Sequence, residues 1–381
     1  MKKRLLCLAM ALCLCCPQAM AAVVQETALH ESLQKEINAI SRNYAAIGVS
    51  VAYVRDGEVV DTFAYGDAVR YKTPMTADSI VRAASVSKVL VGLAAHVSAE
   101  NGVMDLDASV DQYLGFDIYR RHEDDQITAR SILTHTSSIA PPEVDSGKYE
   151  DMRKHLTSRT ATLYFPSGLI KNWNYMNYPF YVLGLAIERA NNKTMDQVMN
   201  EAFADKLAID GSFWAGDLKN PERTAAVYNQ AHEVFLSVEA QTVVHSRGIG
   251  VNNSIFAGNY HISAYDMGKI VAMLAADGCY GGERIISEQV VAAMEAYQPE
   301  IVPKNKFYQA QPLRYRTDIY GREGLYYHTG SAYGENNLIA YDPVAGDGVV
   351  IFSNGASGKD AYGIYAVCGY IADLLFNADW P

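Results

Sequence analysis

Strand-like segments stand at both ends of this chain, and helix-like segments fill the space between them. Near the start, IGVSVAYVRDGEVVDTFAYG reads as two strands joined at Asp56-Gly57, a dipeptide suited to the tight turn of a hairpin. Near the end, LYYHTGSAYG, NNLIAYD and DGVVIFSNG alternate as strands, and a helix follows them. Residues 26–42 place Leu29, Leu33, Ile37 and Ile40 at helical spacing, and ISAYDMGKIVAMLAADG and SEQVVAAMEAY are the clearest helices of the middle. Strands must pair and bury a face, so the expectation is an α/β (α+β) fold: one antiparallel sheet drawn from both chain ends, flanked by helices, with a mostly helical lobe inserted. The sheet lobe is expected at about 22–84 and 301–381 and the helical lobe at about 85–300. No glycine- or proline-rich linker separates them, so residues 22–381 are expected to form a single domain.

The first residues, MKKRLLCLAMALCLCCPQAMAA, combine a cationic start, an apolar run and the small-x-small site Ala19-Met20-Ala21. That is the pattern of a secretory signal over residues 1–21, too short for a membrane span. Its cysteines lack the preceding small residue of a lipoprotein signal, so cleavage after Ala21 and a periplasmic or secreted product are expected. With 29 basic and 43 acidic residues left, the mature chain carries a net charge of −14, which argues against nucleic-acid binding. No later apolar run reaches the roughly 18 residues of a transmembrane helix, so no stable membrane anchor is expected. Cys279 and Cys368 remain after cleavage. They either pair in an oxidising compartment or stay apart, Cys368 then lying on the apolar face Ile364, Val367, Ile371, Leu374 of a last helix.

The chemistry centres on RAASVSKVLVGLAAHVSAENG, residues 82–102. A serine needs a base to become a nucleophile, and Ser85 and Lys88, three apart on a helix, share a face. The same spacing recurs in SLQK, Ser32 to Lys35, and Ser85 in isolation is equally a helix cap for the apolar face Leu90, Leu93, Ala94, Val97. What separates the two readings is company and order. Tyr175-Met176-Asn177 is the one Y-x-N among 26 tyrosines, and His328-Thr329-Gly330 is the one H-T-G.

With these three motifs in order, the sequence resembles the serine β-lactamase and penicillin-binding protein superfamily, in particular its class C-like branch, which also holds D-alanyl-D-alanine carboxypeptidases, D-amino-acid peptidases and esterases. ITARSILTHTSSI, AGNYHISAYDMGKIVAMLAADG and HTGSAYGENNLIAYDPVAGDGVVIFSNG are similar to further elements of that family, so the likeness covers roughly residues 46–376. The resemblance implies Ser85 as the acylated nucleophile, Lys88 as its proton acceptor or electrostatic partner, and Tyr175 as the group that works with Lys88 to pass the proton to the leaving group. It implies Asn177, His328, Thr329, Gly330 and Ser331 on the substrate, with the backbone N–H groups of Ser85 and Ser331 as an oxyanion hole. A tyrosine with its usual pKa near 10 is the wrong base at neutral pH, so cations must stabilise its phenolate, and Lys88, and His328 when protonated, are the candidates.

Departures bear on the substrate. His328 stands where the β-lactamases have lysine, and a largely neutral imidazole weighs against efficient β-lactam hydrolysis. Ser138 and Asn259 stand where glycines are usual, and the stretch from Gly168 to Tyr175 is a residue or two longer than usual. Neither G-x-S-x-G, H-E-x-x-H, a dinucleotide loop, a Walker sequence nor an EF-hand occurs, and no cofactor or metal is implied. The expectation is an exported serine hydrolase working through an acyl-enzyme at Ser85. A peptidase or amidase on D-amino-acid peptides, such as peptidoglycan stems, is favoured by the compartment. An esterase on small acyl esters or a weak β-lactamase is the alternative, and a non-catalytic binding protein the least favoured.

Overall fold

The structure is a computed structural model that describes residues 17–122, 124–144, 146–302 and 306–380. Of the expected export signal, residues 1–16 lie outside the described residues. The first helix, α1, runs Pro17–Asn43. The main sheet holds β1 (Gly48–Arg55), β2 (Glu58–Val69) and β3 (Thr73–Pro74) from the start of the chain. From its end come β4 (Tyr308–Gln309), β5 (Arg314–Ile319), β6 (Arg322–Ala332), β7 (Glu335–Asp342) and β8 (Asp347–Asn354). Their order is β4-β5-β6-β7-β8-β1-β2-β3, with neighbours antiparallel throughout. The two chain ends meet where β1 pairs with β8, from Gly48 opposite Asn354 to Val54 opposite Gly348. The expected hairpin is present: Asp56 and Gly57 both take positive φ, 51° and 73°, the pair of left-handed residues that a two-residue turn needs to follow the sheet's twist.

The sheet is covered on both faces, which is why β1 is buried nearly throughout instead of alternating. Four further helices matter here: α2 (Ser87–Glu100), α3 (Tyr178–Asn191), α4 (Ala264–Ala275) and α5 (Ala366–Phe376). Val49, Val51 and Tyr53 of β1 pack toward Leu33 and Ile37 of α1 and toward Val367, Ile371 and Leu375 of α5. Ala52 and Val54 join the opposite core, where α4 lays Met267, Ile270 and Leu274 against Ile339, Val350 and Phe352. That second core continues without a break into α2 and α3.

Three expectations are refined. The buried side of α5 passes through Leu375, with Leu374 only half-buried, and Ile364 lies just ahead of the helix. Cys279 and Cys368 are both free thiols, Cys368 fully buried in α5 and Cys279 in a small separate hairpin. Finally, α2 is buried all round from Ser87 to Ser98, not along one stripe. No helix among the described residues is long and apolar enough to cross a membrane.

Candidate active site

Ser85 sits in a 3₁₀ turn, Ala84–Val86, that runs directly into α2. It does not cap the helix, whose start carries no side-chain cap at all. The turn is pinned on both sides: the Ala83 N–H donates to the Tyr260 carbonyl at 2.7 Å, and the Tyr260 N–H donates to Ser87 Oγ at 3.0 Å. Ala84 is held at φ 48°, a left-handed conformation costly for a residue with a Cβ, immediately before Ser85. Lys88, one turn on, is completely buried and donates from Nζ to Ser85 Oγ at 3.1 Å and to the Ala257 carbonyl at 2.6 Å. The look-alike pair Ser32 and Lys35 is exposed on α1, so the spacing acquires chemical meaning only where the helix is buried.

Burial holds the Lys88 amine below the usual lysine range; the nearby Arg314 and Arg82 push the same way, and Tyr175 opposes them. Tyr175 lies on the loop between the short turn Ile170–Asn172 and α3, anchored by the Asn174 N–H on the His135 carbonyl at 2.9 Å. Burial alone would raise its phenol. Lys88 and Arg314, with hydrogen bonds from Ser85 and Lys88, outweigh that and hold the phenol below its ordinary value. The Lys88 Nζ is 5.2 Å and the Arg314 guanidinium 5.4 Å from the Tyr175 ring centre.

The second cation beside the phenol is therefore Arg314, and burial disfavours the protonated form in which His328 would have served. His328 is fully buried, and desolvation, then Arg314 and Lys88, push its imidazole far below the usual histidine range. It is neutral, with Nδ1 against the Thr329 carbonyl at 2.8 Å and its ring centre 6.4 Å from that of Tyr175. His135, equally buried and held neutral chiefly by desolvation, packs its ring 4.3 Å from Tyr175 on another side.

The last motif lies on β6. Its neighbour β5 begins at Arg314 opposite Tyr327, so among the described residues β6 has no strand partner on that side from His328 to Ala332. On the other side those residues pair with β7. A free strand edge beside a nucleophile is a ready track for an extended peptide backbone. Ser85, Asn177, Tyr181, Ser331 and Tyr333 share a cleft of about 440 Å³, walled further by Trp214 and Asn252. Thr329 accepts from Arg314 Nη1 at 3.3 Å, and Asn177 stands exposed at the start of α3. All eight residues singled out by sequence thus fall in one neighbourhood; Ser85, Asn177 and Ser331 line the cleft, and the other five do not. Sequence reasoning missed Arg314, the Ala257 carbonyl and the ring of His135. Only the last two were within recognised segments.

Gly330 is small for lack of room. A Cβ there would stand 2.5 Å from the Ala83 carbonyl oxygen and 3.3 Å from Ala84 Cβ. Gly330→Ala is expected to push β6 off the nucleophile turn and lower kcat/KM by about 10²-fold, the effect of a displacement near 1 Å, while the melting temperature falls only modestly. Steady-state kinetics beside a thermal melt would test this, and an alanine variant of normal activity would show that β6 need not touch the turn.

Comparison with known proteins agrees with this geometry. The sequence model of the Beta-lactamase family matches residues 31–367. A D-aminopeptidase from Brucella anthropi is 29% identical over 183 residues, which are 45% of this chain and 33% of that protein, so the chain spans about a third of the length of that curated relative. Among solved structures, the octameric penicillin-binding protein homologue from Pyrococcus abyssi superposes with a TM-score of 0.72 at 19% identity, over 91% of this chain and 76% of that one. The beta-lactamase/D-alanine carboxypeptidase from Pseudomonas syringae gives a TM-score of 0.72 at 18% identity, over 93% of this chain and all of that one. Since the family match runs through the Ser85 turn, the Tyr175 loop and β6 alike, the chain belongs to the beta-lactamase family of serine hydrolases.

Proposed function

We propose that this protein is an exported peptidase or amidase that forms an acyl-enzyme at Ser85 and cleaves peptides of D-amino acids, such as the stem peptides of peptidoglycan. The observation that carries the reading is the contact between Ser85 Oγ and the amine of a wholly buried lysine. A carbonyl in the cleft meets the Ser85 oxygen as its proton passes to the Lys88 and Tyr175 pair. The oxyanion of the tetrahedral intermediate is received by the N–H groups of Ser85 and Ser331. As the intermediate collapses, the pair returns the proton to the departing amine, and water then hydrolyses the ester. Asn177 stands to hydrogen-bond the substrate amide, and the free edge of β6 to pair with its backbone.

Arg314 supports a peptide substrate ending in a free carboxylate. It is a permanent cation beside Thr329, the position from which a neutral His328 attracts no anion. Two relatives bear names for D-amino-acid peptides, a D-aminopeptidase and a D-alanine carboxypeptidase, which favours D configuration. The cationic, apolar and small-residue pattern of residues 1–21 supports export and a mature chain starting at Ala22, one catalytic unit in the compartment where such peptides occur.

The test is a comparison of kcat/KM for a D-alanyl-D-alanine-terminated peptide, its all-L isomer and a nitrophenyl acetate. The D peptide should exceed the L peptide by about two orders of magnitude, the discrimination expected where a site positions both backbone and carboxylate. Turnover of the ester with neither peptide cleaved would replace this reading by the esterase one.

A further inference from the structure

The two donors of an oxyanion hole must keep a fixed separation, yet here they belong to segments far apart in sequence: Ser85 on its 3₁₀ turn and Ser331 near the end of β6. Arg82, three residues before Ser85, joins them. It ends the short strand Ile80–Arg82, where it pairs with His261, and its carbonyl accepts from Asn337 Nδ2 at 3.2 Å. Its Nε donates to Asn259 Oδ1 at 2.9 Å, and its Nη1 donates to Glu335 Oε2 at 3.2 Å. The guanidinium lies 5.1 Å from the centre of the Tyr333 ring.

Each partner is tied to the site. Asn259 stands two residues after the carbonyl that receives Lys88, and its own Nδ2 donates to the Phe213 carbonyl at 2.9 Å. Tyr333 lies in the two-residue turn that follows β6, at positive φ, 59°, and Glu335 is the first residue of β7 beyond it. The ion pair is nearly dry, with side chains 11% and 5% exposed. Burial outweighs the pull of Arg82 and leaves the Glu335 carboxyl raised to about 7, so Arg82 only partly offsets the cost of burying this acid. Asn259, at a position where the related pattern has glycine, gives the guanidinium an acceptor that glycine has no side chain to supply.

We propose that Arg82 is a positioning residue that fixes the Ser331 end of β6 and the Lys88 acceptor loop against the nucleophile turn, setting the span of the oxyanion hole. This rests on the reading of Ser85 as the nucleophile. Arginine is required because one planar fork serves two acceptors in different directions; a lysine ammonium carries the charge without that geometry.

The experiment uses the mature protein with a nitrophenyl ester as substrate and phenylboronic acid as probe, whose boron accepts the Ser85 oxygen and becomes tetrahedral like the intermediate. Arg82→Lys is expected to lower kcat by about 10²-fold, in the range of losing one oxyanion donor, with KM changed less than about threefold. The Ki of the boronic acid should rise by the same factor as kcat/KM falls, which a merely structural role would not produce. Glu335→Gln, which keeps the shape and removes the charge, should likewise lower kcat and raise Ki, and decides the matter if Arg82→Lys fails to fold. A folded variant with kcat within twofold of wild type, or with KM and Ki raised together at unchanged kcat, overturns the proposal. Wild-type turnover that persists in Ser85→Ala overturns the nucleophile assignment and this proposal with it, whereas Ser85-dependent turnover indifferent to Arg82 overturns this proposal alone.

Discussion

Lys88→Ala is expected to slow acylation by about three orders of magnitude, within the range for losing a positioned general base, and Ser85→Ala to remove the covalent adduct altogether. Lys88 is fully buried, and its amine serves Ser85 Oγ, the Ala257 carbonyl and the Tyr175 phenol. Desolvation holds its amine below the usual lysine range, which favours the neutral, proton-accepting form. Removing it leaves Ser85 with Tyr175 alone. Lys88→Arg should not rescue, because a guanidinium stays protonated. Stability should change little, since two effects oppose. The Ala257 carbonyl loses its partner, which costs about 1–3 kcal/mol, while the burial of a charged amine is relieved. Rapid-mixing kinetics with a chromogenic ester, intact mass after a fluorophosphonate probe, and a thermal melt together check this. Near-normal acylation in Lys88→Ala would remove lysine from the role of base.

Much of the frame was legible because it rests on local patterns. Asp56-Gly57 marks its hairpin by conformational need, and the alternating segments near the two ends had only each other to pair with. SVSK was legible as a shared helical face, and Y-x-N and H-T-G as companions in order. The rest depends on burial and on contacts across the fold. Nothing in SLQK distinguishes it from SVSK; exposure on α1 does. The stripe Leu90, Leu93, Ala94, Val97 understated the burial of α2, because Ser87 and Ser98 are buried too once their hydroxyls find the Tyr260 N–H and the Ala94 carbonyl. His328 read as largely neutral from its solution pKa, and desolvation in the fold pushes it further the same way. Arg314 belongs to no motif. It reaches Tyr175 because the register of β5 sets it opposite Tyr327, one residue from His328. Arg82 and Glu335 are 253 positions apart and meet only when the two chain ends close one sheet.

Arg314→Gln is the substitution whose effect depends most on pH. Lys88 and Tyr175 exchange protons with the same serine, so the rise of kcat/KM with pH for an uncharged ester belongs to the pair and not to either residue. The Arg314 charge destabilises an ammonium at Lys88 and stabilises a phenolate at Tyr175, so it lowers both pKa values. Its loss raises both. The limb of the pH profile is therefore expected to move to higher pH in Arg314→Gln, activity at neutral pH to fall, and most of it to return in alkaline buffer. Arg314→Lys, which keeps a charge there, should leave the limb near its wild-type position. An uncharged ester is essential, because a carboxylate substrate would lose its partner in the same variant and its KM would rise at every pH. If the glutamine variant lost activity equally across the pH range, Arg314 would be holding the Tyr175 ring between itself and Lys88 by packing, and the depressed phenol would have to be ascribed to Lys88 and the hydrogen bond from Ser85. His328 gives an internal control: already neutral and buried, it should contribute no titration between about pH 5.5 and 7.5, so His328→Gln should alter the height of the profile and not its position.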